Sequence, residues 1–179
     1  MKMKKVALLV SAAVLVIAVS VGGTLAYLTS TDTKTNVVTI GNVEIKVDET
    51  YTPVTDAEPG VVYDKVVNIK NTTTTTNDAY VRAKITYNSK YVTLGETGTG
   101  WTLAKGAADE TGLVTDIYTY NTKLAPSTST ATAAFSTFTL NTDNVVQGLT
   151  TKTLDIVVLA EGIQTGGFDS PAAAFAKFK

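Results

Sequence analysis

The stretch AYVRAKITY, residues 79–87, decides how the rest of the chain is read. Its odd-numbered residues are apolar or aromatic, whereas Arg82, Lys84 and Thr86 between them are polar. An alternation with a period of two predicts an antiparallel strand with one face in a core and the other in water.

Similar segments recur along most of the chain, where threonine, a β-branched residue that favours strands, is the commonest residue. We predict strands at residues 36–47, 61–69, 91–94, 101–103, 113–120, 134–140 and 153–160. This spacing, with turn residues between the segments, predicts an all-β fold, a jelly-roll-like antiparallel β sandwich. The five threonines of residues 72–76 have no apolar positions, so we interpret them as an exposed connection.

Ser170-Pro171 is typical of a helix start, because serine caps the first turn and proline fits its first position. We therefore predict a short C-terminal helix that lays Phe168, Phe175 and Phe178 on the sandwich.

The first 26 residues have the pattern of a secretory signal peptide. Three early lysines precede an apolar run over residues 6–21, and two glycines then lead to small residues before Tyr27. We expect cleavage between Ala26 and Tyr27, which leaves residues 27–179 as a single domain and makes membrane contact transient. The alternative is an uncleaved anchor, since residues 6–25 approach the ~20 residues that a spanning helix needs.

Composition narrows the functions that remain. Cleavage would leave twelve basic against sixteen acidic side chains with no basic patch, so we predict no nucleic-acid partner. Histidine and cysteine are absent, which excludes a His-Glu-x-x-His zinc site and a histidine-assisted nucleophile. We predict no catalytic residue, no metal site, no cofactor and no enzyme activity. A carboxylate pair stays open, although Asp32, Asp109 and Glu110 lie in segments that read as solvated.

The run GGTLAYLTSTD, residues 22–32, continues into NVVTIGNVEI, residues 36–45. Together they resemble the TasA/camelysin family of exported proteins of Gram-positive bacteria, and the segments 79–85, 118–126 and 160–169 strengthen the likeness. The resemblance implies a jelly-roll sandwich, a dedicated signal peptidase as partner during export, and secretion to the extracellular matrix or cell surface. It also implies, for TasA-like members, biofilm-matrix fibres in which one subunit donates its N-terminal segment as a strand to the next.

Carried over to this chain, the donor strand lies within residues 27–40, with Val37, Val38 and Ile40 as assembly residues. The resulting prediction is a secreted structural subunit, major or minor, that self-associates into fibres. One alternative is a camelysin-like metallopeptidase. The other is a surface carbohydrate- or host-binding module that uses Trp101 and nearby tyrosines, although we expect these aromatic residues to lie in the core.

Overall fold

The computed structural model describes the backbone of residues 37–40 and then residues 43–54, 57–74, 76–144 and 154–177. Within these residues the chain forms nine strands, a 3-10 turn at Thr142–Asn144 and a short C-terminal helix. The elements are β1 (Val37–Ile40), β2 (Ile45–Tyr51), β3 (Val62–Asn71), β4 (Ala79–Asn88), β5 (Val92–Leu94), β6 (Trp101–Ala104), β7 (Leu113–Tyr120), β8 (Thr137–Leu140), β9 (Val157–Gln164) and α1 (Pro171–Phe175).

The strands form a five-stranded sheet with the order β1-β9-β4-β7-β6 and a four-stranded sheet with the order β2-β3-β8-β5. From β3 to β6 and again from β7 to β9, each successive strand lies in the other sheet, as in a jelly roll. The predicted all-β, jelly-roll-like sandwich is confirmed. One pairing departs from the antiparallel expectation, because β1 runs parallel to β9.

The core lies between the two sheets and draws on both. All five odd-numbered side chains of residues 79–87 are buried, so the alternation that predicted β4 is confirmed. Trp101 is also in this core, as are Tyr87, Tyr118 and Tyr120. These aromatic rings pack inside the protein, as expected, and do not form a row on its surface.

Several strands differ from their predicted bounds or facing, and β8 starts at Thr137, three residues after the predicted start at residue 134. Residues 36–47, predicted as a strand segment with a bulge or turn at Gly41, contribute to two strands, β1 and β2, which belong to different sheets. In the segment predicted as a strand at residues 61–69, Val61 is exposed and precedes β3, whereas Lys65 is buried and forms an ion pair with Glu49. The last strand lies at Val157–Gln164, four residues later than expected at both ends. It ends later because it continues through the buried Glu161 and through Gly162.

The C-terminal helix is confirmed. Ser170 Oγ accepts a hydrogen bond from the N–H of Ala173 at 3.2 Å, and Pro171 occupies the first turn. Phe168 and Phe175 pack in a second, smaller apolar cluster, whereas Phe178 lies outside the described residues. In the described part of the chain, no helix has the length and apolar character to cross a bilayer.

Candidate assembly site

β1 occupies one edge of the five-stranded sheet, and its strand partner is β9. The two strands pair over four residues, which include the predicted assembly residues Val37, Val38 and Ile40. Their partners in β9 are Ala160, Glu161 and Ile163. The predicted cleavage residues Ala26 and Tyr27 lie outside the described residues, so their role stays a prediction.

The strand that receives β1 is held far more extensively on its other side. β9 pairs with β4 through eight antiparallel residue pairs, against four parallel pairs with β1. Parallel pairing is slightly less stable per residue than antiparallel pairing. β1 is therefore a short edge strand on a firmly anchored neighbour.

On the inner side of this edge, β2 approaches β9 closely. Gly162 of β9 pairs with Thr39 of β1, and a Cβ atom at Gly162 would lie 2.8 Å from Cγ2 of Ile45 in β2. Real Cβ atoms do not approach that closely, so only glycine admits the Ile45 side chain here. The two sheets are thus locked together beside the edge.

The outer side of β9 carries a buried charge cluster. The Glu161 side chain is only 4% exposed and pairs with the Arg82 guanidinium and, at 2.7 Å, with the Lys84 ammonium. The guanidinium also lies 4.4 Å from the ring centre of Phe175 in α1. These charge-assisted bonds join β9 to β4 beneath the helix and involve no residue of β1.

The sequence reasoning missed Glu161 and Gly162 because it ended the last strand at Ala160. Residues 157–160 are all apolar and show no alternation, so the signal for a longer strand was the β-branched Ile163 that follows Glu161 and Gly162. The acidic residue interrupted an apolar run and was read as the end of the strand.

Acidic side chains are the metal ligands that this composition offers, and the described part of the chain holds fourteen of the sixteen. Among these residues, no group of three or more could hold a metal ion. The buried carboxylate of Asp116 is already engaged, since it accepts hydrogen bonds from the Tyr87 hydroxyl and the Gly106 N–H, each at 2.9 Å.

A family model described as camelysin metallo-endopeptidase matches residues 1–100, more than half of the chain. The chain belongs to the camelysin family. The resemblance found in the sequence is therefore confirmed, and membership of a family of extracellular or surface proteins supports export. Comparisons with curated proteins and with solved structures gave no match.

The camelysin family corrects one prediction. The expectation that the chain is not an enzyme is contradicted, because the family is named for metallo-endopeptidase activity. Enzyme activity was excluded because histidine and cysteine are absent. That reasoning considered too few ligands, since carboxylate oxygens also bind zinc. In the described residues the carboxylates are not grouped closely enough to bind a zinc ion, so the structure supports no catalytic step at a metal there.

Proposed function

We propose that this camelysin-family chain is an exported structural subunit of a surface or biofilm-matrix fibre, assembled by donation of its N-terminal strand. The observation that carries the proposal is the position of β1 at a sheet edge, bound to β9 by four parallel residue pairs. An edge strand of this kind can leave while the rest of the sheet stays paired.

The same pairs can form between two copies. When β1 of a neighbouring chain takes the place beside β9, each of the four pairings is replaced by an identical one, so the exchange costs little in hydrogen bonding. Addition of an extended segment to an exposed sheet edge is a recurring mode of assembly. The donated segment is residues 27–40, freed when a signal peptidase cleaves after Ala26.

β9 is suited to be the acceptor strand because buried contacts hold it to β4. Its eight pairs with β4 and the Glu161 charge cluster keep the acceptor strand folded during the exchange. A strand with weaker support would separate from the sheet together with β1.

Electron microscopy of purified residues 27–179 tests the proposal. We expect fibres from the unmodified protein and monomers after deletion of residues 27–40. Because consecutive residues of a strand direct their N–H groups to opposite sides, Val38→Pro and Thr39→Pro are tested separately, and we expect at least one to block assembly. Val54→Pro, in the connection after β2, is the matched control. Persistent monomers of the unmodified protein, or fibres that survive the deletion, contradict the proposal.

A second candidate function is metal-dependent proteolysis, which the family description favours. The test is digestion of casein by the purified protein, with and without a chelator and with zinc added back. Chelator-sensitive cleavage that is absent from a mock purification supports this function. Lack of cleavage under all of these conditions counts against it.

A further inference from the structure

The threonine run at residues 72–76 is not the fully exposed connection that its composition predicted. Thr73 is only 3% exposed, and its hydroxyl accepts a hydrogen bond from the N–H of Glu44 at 2.6 Å. The carbonyl of Glu44 accepts from the N–H of Thr72 at 2.8 Å and from the Thr72 hydroxyl at 3.2 Å. Both backbone groups of Glu44, which lies just before β2, are therefore held by these two threonines.

Asn71, which is fully buried, fixes the position of this pair. Its side-chain oxygen accepts a hydrogen bond from the N–H of Thr73 at 3.0 Å. Its side-chain nitrogen donates to the carbonyls of Leu124 at 3.0 Å and Asn77 at 3.2 Å. A buried amide with its donors and acceptor satisfied makes a rigid support, since shifting Thr73 would leave polar groups unpaired inside the protein.

The residues on either side of Glu44 are also fixed, but by packing. Val43 and Ile45 are both buried in the main core, and Ile45 fills the space that Gly162 leaves open. Val43 and Ile45 are thus anchored by burial of their side chains, and Glu44 between them is anchored by hydrogen bonds of its backbone. The neighbouring strand β1 has instead a single partner strand and four residue pairs.

We propose that Thr72 and Thr73 are positioning residues that clamp the Glu44 backbone and set where the movable N-terminal arm ends. Residues up to Ile40 detach as a unit, whereas the chain from Val43 onward stays in its own sandwich. This inference rests on the proposed strand donation and names the residues that control its extent.

A boundary at this place protects the core during exchange. Without the clamp, the opening that releases β1 would extend past Ile45 into the pairing of β2 with β3 and expose apolar side chains between the sheets. With the clamp, the exchange exposes the β9 edge and leaves the seven residue pairs of β2 and β3 in place.

Amide hydrogen exchange on the monomeric protein of residues 27–179 tests the clamp. We expect the β1 amides to exchange at least about tenfold faster than the Glu44 amide. Thr73→Val keeps the shape of the side chain but removes the hydroxyl, and it should speed exchange at Glu44 about tenfold, the effect of one lost buried hydrogen bond. The β1 amides, which exchange through local opening of their own strand, should not change.

Two further variants separate the clamp from a general loss of stability. Thr73→Ser keeps the hydroxyl and should restore slow exchange at Glu44, and Thr74→Ala, at an exposed position of the same run, should leave it unchanged. Exchange of Glu44 at the β1 rate in the unmodified protein, or no effect of Thr73→Val, overturns the inference. Because the measurement needs no fibre, failure to assemble would overturn the proposed function and not the clamp.

Discussion

At the scale of single residues, Asp116 places a carboxylate inside the core, where it is 2% exposed. Its two hydrogen bonds join β7 to Tyr87 of β4 and to Gly106 in the connection after β6. The acid therefore ties the long connection between β6 and β7 to the sheet. A sequence pattern could not reveal this, because the partners come from separate segments.

Replacement of Asp116 by alanine should lower the free energy of unfolding by about 3 kcal/mol, because the Tyr87 hydroxyl and the Gly106 N–H both lose their acceptor. Urea unfolding measures the change. Asp64→Ala, at an exposed position of β3, is the control and should stay within about 0.5 kcal/mol of the unmodified protein. Equal stability of the two variants would show that the buried network contributes nothing.

Burial, together with the nearby charge of Asp116, raises the pKa of Tyr118 to about 12. The pKa of Tyr87 is raised too, by burial and then by its hydrogen bond to Asp116. An unfolded chain ionises its tyrosines near pH ~10, before the folded protein does. Stability from these groups is therefore complete below pH ~10 and is lost as the pH rises towards about 12.

Urea unfolding midpoints measured across this alkaline range test the pH dependence. The midpoint should fall as the pH rises, and Tyr118→Phe should fall less steeply because the variant has no hydroxyl to ionise there. Parallel curves for the two proteins would contradict the assignment to Tyr118.

At the scale of elements, the approach of β2 to β9 depends on a matched pair of residues, Gly162 and Ile45. Gly162→Ala should cost about 2 kcal/mol, because the added methyl overlaps the Ile45 side chain. Ile45→Ala should cost about 3 kcal/mol by leaving a cavity. The double variant should cost at least about 1 kcal/mol less than the sum, since the new methyl enters that cavity. Strict additivity in a denaturation series would contradict the contact.

A strand could be predicted from the sequence when its pattern of polar and apolar residues lay within its own segment. Alternation alone placed β4, since this strand shows a polar and an apolar face within its own residues. The division of residues 36–47 between two sheets could not be read this way, because both halves alternate alike. Thr73 was missed because its burial depends on Glu44, which lies 29 residues earlier in the chain.

The candidate site was predictable only in part, and from the family resemblance. That resemblance pointed to Val37, Val38 and Ile40, which pair with β9 in the structure. Nothing in the pattern of these residues indicated their partner strand, since parallel pairing joins segments from opposite ends of the chain. Glu161 and the charge cluster around it likewise needed the fold to bring β4 and β9 together.

At the scale of the whole molecule, the two sheets share one continuous core, so they should unfold together. Trp101, the single tryptophan, is buried in that core and donates its indole N–H to the Thr132 carbonyl at 3.0 Å. Tryptophan fluorescence and far-ultraviolet circular dichroism should therefore give coincident urea transitions. Separate midpoints for the two signals would show that the sheets unfold independently.

The placement of β1 also has a consequence for symmetry. Under the proposed exchange, each subunit gives its arm to one neighbour and receives an arm beside β9 from another, so the two contact surfaces differ. Such a heterologous contact, repeated, builds an open chain of subunits with direction wherever the rotation between neighbours does not close a ring. One tip carries an unused arm and the other an unfilled sheet edge. Subunits without an arm should therefore cap growth at a single tip.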